Sequence, residues 1–291
     1  MKIIDGKKIS SDIKDEIAQQ VKKIVAQGQR PPHLTAVLVG NDPASLSYVK
    51  SKEKASEKVG FTSSLLHLDE NISEKELLKI VQELNDDSKV DGYIVQLPLP
   101  PHIDEQKIIM AVHPDKDVDG FHPMNLGKMT AQLPGFIPAT PFGILELIKR
   151  YKIATEGKQV LIIGRSLIVG RPLSILLSQK REGGNATVTV AHSRTQNIKQ
   201  LSLQADIIIT ALGKAHFLKA DMVKEAVVII DAGINSIDAP ERKRGYRLVG
   251  DVDFDNVSKK ASYITPVPGG VGPMTIAMLL QNTLLAYHNK K

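Results

Sequence analysis

Tyr48 and Lys52 stand four residues apart behind a Gly-Asn-Asp-Pro loop, so a helix starting there carries both on one face. A phenol beside an amine can relay protons if desolvation strips the amine of its charge. Lys50, Lys54 and Lys58 in the same stretch also suit an ordinary solvated helix, so the pair by itself leaves both readings open. Tyr-x-x-x-Lys occurs in short-chain dehydrogenases too, but there the glycine-rich turn comes first. Here it follows the pair, at Gly164, and that family is excluded. Gln96 closes the apolar run Gly92–Gln96, at the end of a strand where open α/β sheets bind ligands; it could equally satisfy a loop backbone. Asp115, Asp117, Asp119 and Gly120 imitate the start of an EF-hand loop. Its twelfth position is Leu126 instead of a bidentate Glu, and no flanking helices are indicated. These acids read better as hydrogen-bond acceptors for a ligand or as loop caps. The eight His show no metal-ligand spacing, the absence of Cys removes thiolate and iron–sulfur chemistry, and no Gly-x-Ser-x-Gly elbow supports a serine hydrolase.

A second constellation is VLIIGRSLIVGRP, which places Gly164, Ser166 and Gly170 between a buried strand and a helix. Glycine there lets backbone approach a pyrophosphate, and the helix start supplies oriented N–H groups. The match to G-x-G-x-x-G is imperfect, with Ser166 at the second glycine and Gly170 one residue late. At the end of the following strand stand Ser193 and Arg194, with no carboxylate to meet a ribose hydroxyl, and Arg165 adds a second guanidinium in the turn. Guanidinium groups suit bidentate phosphate contacts, so NADP is favoured over NAD.

The elements that must position these residues alternate along the chain. Ile13, Ile17, Val21 and Ile24 mark a helical face that ends before Gly28; Leu34–Val39 is a buried strand. A helix follows from Asp42 as N-cap and Pro43 as first helical residue to Gly60, then a strand at Thr62–His67, a helix around Leu77–Leu84, and the Gly92–Gln96 strand. This βαβαβ order predicts a parallel sheet covered by helices on both faces. His113–Pro141 has little periodicity and reads as a long functional or connecting loop. A second alternating block has strands at Gln159–Gly164, Ala186–Ala191, Asp206–Thr210 and Ala226–Asp231, a Gly/Pro-rich loop at Thr265–Gly272, and a last helix from Pro273 to about Tyr287. The fold class is α/β, with a first domain over 1–139, completed by the C-terminal helix 272–291, and a second over 140–271.

Composition narrows the function classes. The 291 residues include 42% hydrophobic and 24% charged, an ordinary globular balance that excludes disorder and a disulfide scaffold. The net charge of +6 is spread along the chain, densest at Lys50/Lys52/Lys54/Lys58 and Arg242/Lys243/Arg244. With 4% aromatics and no Trp to stack bases, nucleic acid is not an expected partner. No apolar run reaches the roughly 18 residues of a membrane span, and the N-terminal stretch turns polar too soon for a signal peptide. A cytoplasmic protein with no membrane partner is expected.

Taken together, the motifs resemble the bifunctional methylenetetrahydrofolate dehydrogenase/cyclohydrolase family. The resemblance covers nearly the whole chain and rests, in family order, on LVGNDPASLSYVKSKEKA, DGYIVQLPLP, KDVDGFHPMNLG, PATPFGILELI, IIGRSLIVGRP, and GDVDFDNV followed by SYITPVPGGVGPMTIAMLLQN. It implies an N-terminal βαβ folate-binding and catalytic domain, a Rossmann-like NADP-binding domain and a cleft between them. Lys52 would be the principal catalytic residue, Tyr48 would pack against and orient the folate, Gln96 would hold Lys52, and Asp119 would grip the donor edge of the pterin. Pro268, Gly269, Gly270 and Val271 would line the folate site, and Gly164, Arg165, Ser166, Ser193, Arg194 and Ile234 would contact NADP. A homodimer formed through the cofactor domain is implied. Ala139 and Ala191 stand where many relatives carry Cys, a departure that touches no catalytic role. The activity implied is oxidation of 5,10-methylenetetrahydrofolate followed by hydrolysis to 10-formyltetrahydrofolate. Two rivals are a monofunctional dehydrogenase and a non-catalytic protein that senses folate or NADP.

Overall fold

The computed structural model describes residues 1–240 and 245–290, so the basic group Arg242, Lys243 and Arg244 lies outside the described residues. In chain order the elements are β1 (Lys2–Ile3), α1 (Gly6–Ala26), β2 (His33–Val39), α2 (Pro43–Val59), β3 (Thr62–Leu68), α3 (Glu74–Asp86), β4 (Gly92–Val95), α4 (Glu105–Ala111) and α5 (Pro123–Thr130). Then come α6 (Ala139–Arg150), β5 (Gln159–Ile163), α7 (Gly170–Ser178), β6 (Thr187–Ala191), α8 (Ile198–Gln204), β7 (Ile207–Thr210) and β8 (Val228–Asp231). The last are β9 (Asn235–Asp238), β10 (Tyr246–Val249), α9 (Phe254–Val257), β11 (Tyr263–Ile264) and α10 (Val271–Asn289). They form two compact units: Ser11–Ala139 with Ile276–Lys291, and Met1–Ser10 with Thr140–Thr275. No helix among the described residues is long and apolar enough to cross a membrane.

The first unit is built on a parallel sheet in the order β3-β2-β4. Its middle strand is buried from Leu34 to Val39, the near-continuous apolar run that a strand covered on both faces requires. Val37, Leu77, Val81, Tyr93 and Ile108 share its core. α2 starts where the sequence places it. Asp42 accepts a hydrogen bond from the Ser45 amide at 2.8 Å, Pro43 occupies the first turn and Gly60 caps the end. α3 opens with a reciprocal capping box between Ser73 and Glu76.

The second unit carries a six-stranded sheet, β1-β11-β8-β7-β5-β6, parallel throughout. From β5 the chain moves to β6 on one side and then crosses to β7 on the other, so the strand order reverses between β5 and β7. That is the switch point where such sheets open a crevice at their carboxyl ends. Leu161, Ile163, Ile208, Ile229 and Ile264 pack into its core. β9 and β10 form a separate antiparallel pair.

Two expectations need correction. The segment 113–141 is not loop throughout. It holds α5, started by His122 as N-cap and Pro123 in the first turn, and α6 already begins within it, at Ala139. Helices α4 and α5 therefore do flank Asp115–Gly120, although they were not indicated by periodicity. Only Asn125 and Met129 of α5 are buried, too few to write an apolar stripe.

Candidate active site and dinucleotide pocket

The helix–strand geometry of the first unit brings Tyr48, Lys52, Gln96 and Asp119 together. Lys52 points inward from α2 with only 5% of its surface exposed. Its Nζ donates to Gln96 Oε1 at 3.1 Å and lies 5.2 Å from the centre of the Tyr48 ring. Gln96 follows β4, and its backbone N–H donates to Val37 O at 2.9 Å, so the strand ladder itself fixes its Cα. Its side-chain amide donates to Leu97 O at 2.7 Å, which turns the amide oxygen toward the lysine. Burial pushes the Lys52 amine below its ordinary range, and the negative charge of Asp119 pulls it part of the way back. Asp119 is shifted upward by the same desolvation, opposed by Lys52. Each group is moved toward its neutral form, which is the state in which an amine can accept a proton.

Asp119 is displayed on a tightly held turn. Asp117 accepts from the backbone N–H groups of Phe121 at 3.1 Å and His122 at 2.8 Å, and from Asn125 Nδ2 at 2.9 Å. Burial pushes the Asp117 carboxyl up to about 6 against these three donors. Gly120 has a φ of +75°, and a Cβ there would meet Pro138 N at 2.7 Å, so no side chain fits. Asp115 instead pairs with Lys128 at 3.8 Å. The three acids thus act as backbone acceptor, displayed carboxylate and surface ion pair.

The second unit supplies the glycine-rich turn at the switch point. Gly164 has a φ of +133°, and a Cβ there would lie 2.2 Å from Ala211 O; one on Gly170 would lie 2.1 Å from Gly164 O. Both glycines are therefore demanded by the close passage of strand, turn and helix, the role such residues play in dinucleotide sites. Ser166 does not copy a glycine; its Oγ accepts from Val169 N at 3.1 Å and braces the turn ahead of α7. The turn borders a cavity of about 540 Å³ lined by Gly164, Arg165, His192, Ser193, Lys214 and neighbouring apolar residues, with no carboxylate among them. That electropositive, backbone-rich lining fits the phosphates of a dinucleotide. Arg194 is exposed beside it, its N–H donating to His192 Nδ1 at 3.2 Å. Ile234 is set apart from this cavity. With Pro268, Gly269, Gly270 and Val271 it lines a separate space of about 110 Å³.

Several residues that shape the pocket were not singled out from sequence. Lys214 and His192 line it, and Asp251 builds it. That buried carboxylate accepts from the N–H groups of Leu212, Gly213 and Lys214 at 2.8, 3.2 and 2.8 Å. Asp231 in turn accepts from Asp251 N, Val252 N, Gly233 N and Thr210 Oγ1, while burial raises its carboxyl. Their only sequence signal was position, Asp231 ending an apolar strand and Asp251 in the GDVDF segment.

Family models match both parts of the chain: the catalytic domain of tetrahydrofolate dehydrogenase/cyclohydrolase over residues 4–119, and its NAD(P)-binding domain over residues 138–291. The chain is 62% identical to the "Bifunctional protein FolD" of Flavobacterium johnsoniae over 98% of its own length and 97% of that protein. Among solved structures it is similar to the bifunctional FolD methylenetetrahydrofolate dehydrogenase/cyclohydrolase of Campylobacter jejuni, with 48% identity, a TM-score of 0.94 and full coverage of both chains. It is also similar to the Trypanosoma brucei methylenetetrahydrofolate dehydrogenase-cyclohydrolase complexed with NADP cofactor and inhibitor, with 35% identity, a TM-score of 0.94, and coverage of 99% of this chain and 97% of that one.

Proposed function

The chain belongs to the tetrahydrofolate dehydrogenase/cyclohydrolase family, and from that premise we infer that it performs both reactions, with Lys52 at the centre of the second. It is an NADP-dependent methylenetetrahydrofolate dehydrogenase and a methenyltetrahydrofolate cyclohydrolase. The observation that carries the assignment of Lys52 is its desolvated Nζ, bonded to Gln96 and facing the charge of Asp119.

In the first reaction the methylene carbon of 5,10-methylenetetrahydrofolate loses hydride and becomes the methenyl cation. NADP⁺, when bound, supplies the hydride acceptor. Gly164, Arg165, Ser166, Ser193, Arg194 and Ile234 are the residues assigned to hold it, by backbone approach at the glycine and by charge at the guanidinium groups. Asp119 takes hydrogen bonds from the pterin's donor edge, and Tyr48 packs against the folate to fix its orientation; rate then comes from near-attack positioning. In the second reaction water adds to the methenyl carbon. Neutral Lys52 accepts one proton of the water as the C–O bond forms. The ring C–N bond then breaks, the carbinol O–H giving up its proton to become the formyl carbonyl while the departing ring nitrogen takes one up, which yields 10-formyltetrahydrofolate. Gln96 keeps the Lys52 amine aimed without adding charge. A homodimer formed through the NADP-binding unit and a cytoplasmic location complete the reading, supported by the family resemblance.

The test mixes the protein with 5,10-methylenetetrahydrofolate and NADP⁺ or NAD⁺, following reduced cofactor and methenyl product together. NADP⁺ reduction without methenyl build-up supports both activities; methenyl accumulation leaves a dehydrogenase alone. Tight binding of both ligands without turnover favours the sensing alternative. Lys52→Met is expected to lower cyclohydrolase turnover by about 10²–10⁴, the usual weight of a general base, while part of the dehydrogenase rate survives. Full cyclohydrolase activity in that variant removes Lys52 from the mechanism.

A further inference from the structure

Asn282 is an unusual side chain for its place. It sits in the middle of α10, 1% exposed, among Met278, Leu279, Leu280 and Leu284. A buried amide in an apolar helix costs stability unless its hydrogen-bonding groups are met. Here the donor end is fully used: Nδ2 donates to Val118 O at 2.8 Å and to Ile137 O at 2.9 Å. One amide group thus staples two non-helical segments, and the residue after the first staple point is Asp119.

The same two segments touch along their length. Ala139 N donates to Asp119 O at 3.3 Å, and Gly120 lies too close to Pro138 to admit a Cβ. On the other flank the Asp117 carboxylate spans Phe121 N and His122 N and takes Asn125 Nδ2. The backbone at Asp119 is therefore held from before and behind. A displacement of the order of 1 Å in a positioned group can cost roughly 10²-fold in rate.

We propose that Asn282 and Asp117 are positioning residues that set the reach of Asp119 toward the pterin of the folate substrate. The proposal rests on the folate-gripping role assigned to Asp119. It extends the functional machinery to Asn282, in the middle of α10.

The test is a double-mutant cycle on the full chain, reading kcat and KM of the dehydrogenase for methylenetetrahydrofolate and for NADP⁺. Asn282→Ala is expected to lower kcat/KM for the folate about tenfold or more, mainly through KM, with KM for NADP⁺ unchanged within about twofold. In an Asp119→Ala background the same substitution is expected to cost less than about twofold, because the group it positions is gone. An equal loss in both backgrounds, or no loss in either, overturns the proposal and leaves Asn282 a packing residue. If Asn282→Ala does not fold, Asn282→Asp and Asp117→Asn enter the same cycle under the same criteria. Asp119→Ala is measured alone as well. If it keeps the parent kcat/KM, the folate grip itself fails and the proposal falls with it, an outcome distinct from equal losses in a cycle where Asp119 matters.

Discussion

A lysine with 5% exposure and a neutral amide as its hydrogen-bond partner is held in a state that water would not give it. The amide oxygen of Gln96 orients the amine without supplying a countercharge, so desolvation prevails and the neutral form gains population at lower pH. A base that must be deprotonated works better as pH rises through its own pKa, so the rising limb of the cyclohydrolase pH profile is expected to report Lys52. Gln96→Glu places a carboxylate where the amide oxygen stood and raises the Lys52 pKa. The rising limb is then expected to move to higher pH, while dehydrogenase KM for NADP⁺ stays put; a profile that does not move would show that another group titrates. The Tyr48/Lys52 pairing was legible from spacing because one helix carries both residues. The Lys52–Gln96 bond was not, since it joins positions 44 apart on different elements, and the family resemblance supplied it.

At the scale of elements, the parallel strands and the capped helices were readable, because burial on two faces and N-cap chemistry leave local marks. The Leu34–Val39 run and the Asp42-Pro43 start are found as the sequence places them. The elements that leave no such mark lack periodicity. β1 and β11 have two residues each, and neither strand of the β9–β10 pair carries a run of buried residues. The glycine-rich turn shows how an imperfect motif can still satisfy the physical demand. Gly164 and Gly170 meet the close approaches, and Ser166 uses its hydroxyl to brace the turn in place of a second glycine. Gly164→Ala must relieve a 2.2 Å contact with a backbone carbonyl and adopt a φ unsuited to a side chain. It is expected to lower the unfolding free energy by about 1–3 kcal/mol and to raise KM for NADP⁺ by about tenfold, with the folate KM little changed. Denaturant unfolding and steady-state kinetics read the two effects separately, and an unaltered KM for NADP⁺ would detach the turn from the cofactor.

Across the whole molecule, distant stretches of sequence meet at a few buried charges. Asp91, with no side-chain exposure, accepts from both terminal guanidinium nitrogens of Arg30 at 2.7 and 2.8 Å and from the His33 N–H at 2.8 Å, and Lys290 lies 3.4 Å away. Removing a buried partner leaves the others stranded, so Asp91→Ala is expected to lower the unfolding free energy by about 2–4 kcal/mol, less than for a fully buried pair because Arg30 is partly exposed. Urea unfolding measures it, and a loss under about 0.5 kcal/mol would reduce the cluster to surface decoration. The backbone route has its own consequence. The chain passes from one unit to the other after Ser10, after Ala139 and after Thr275, so each unit is assembled from two separated stretches of sequence. A gene cut at any single point never delivers both units whole. Recombination that trades one half for a foreign counterpart must break and rejoin the message at three places at once, so the two units are inherited together even though each has a core of its own.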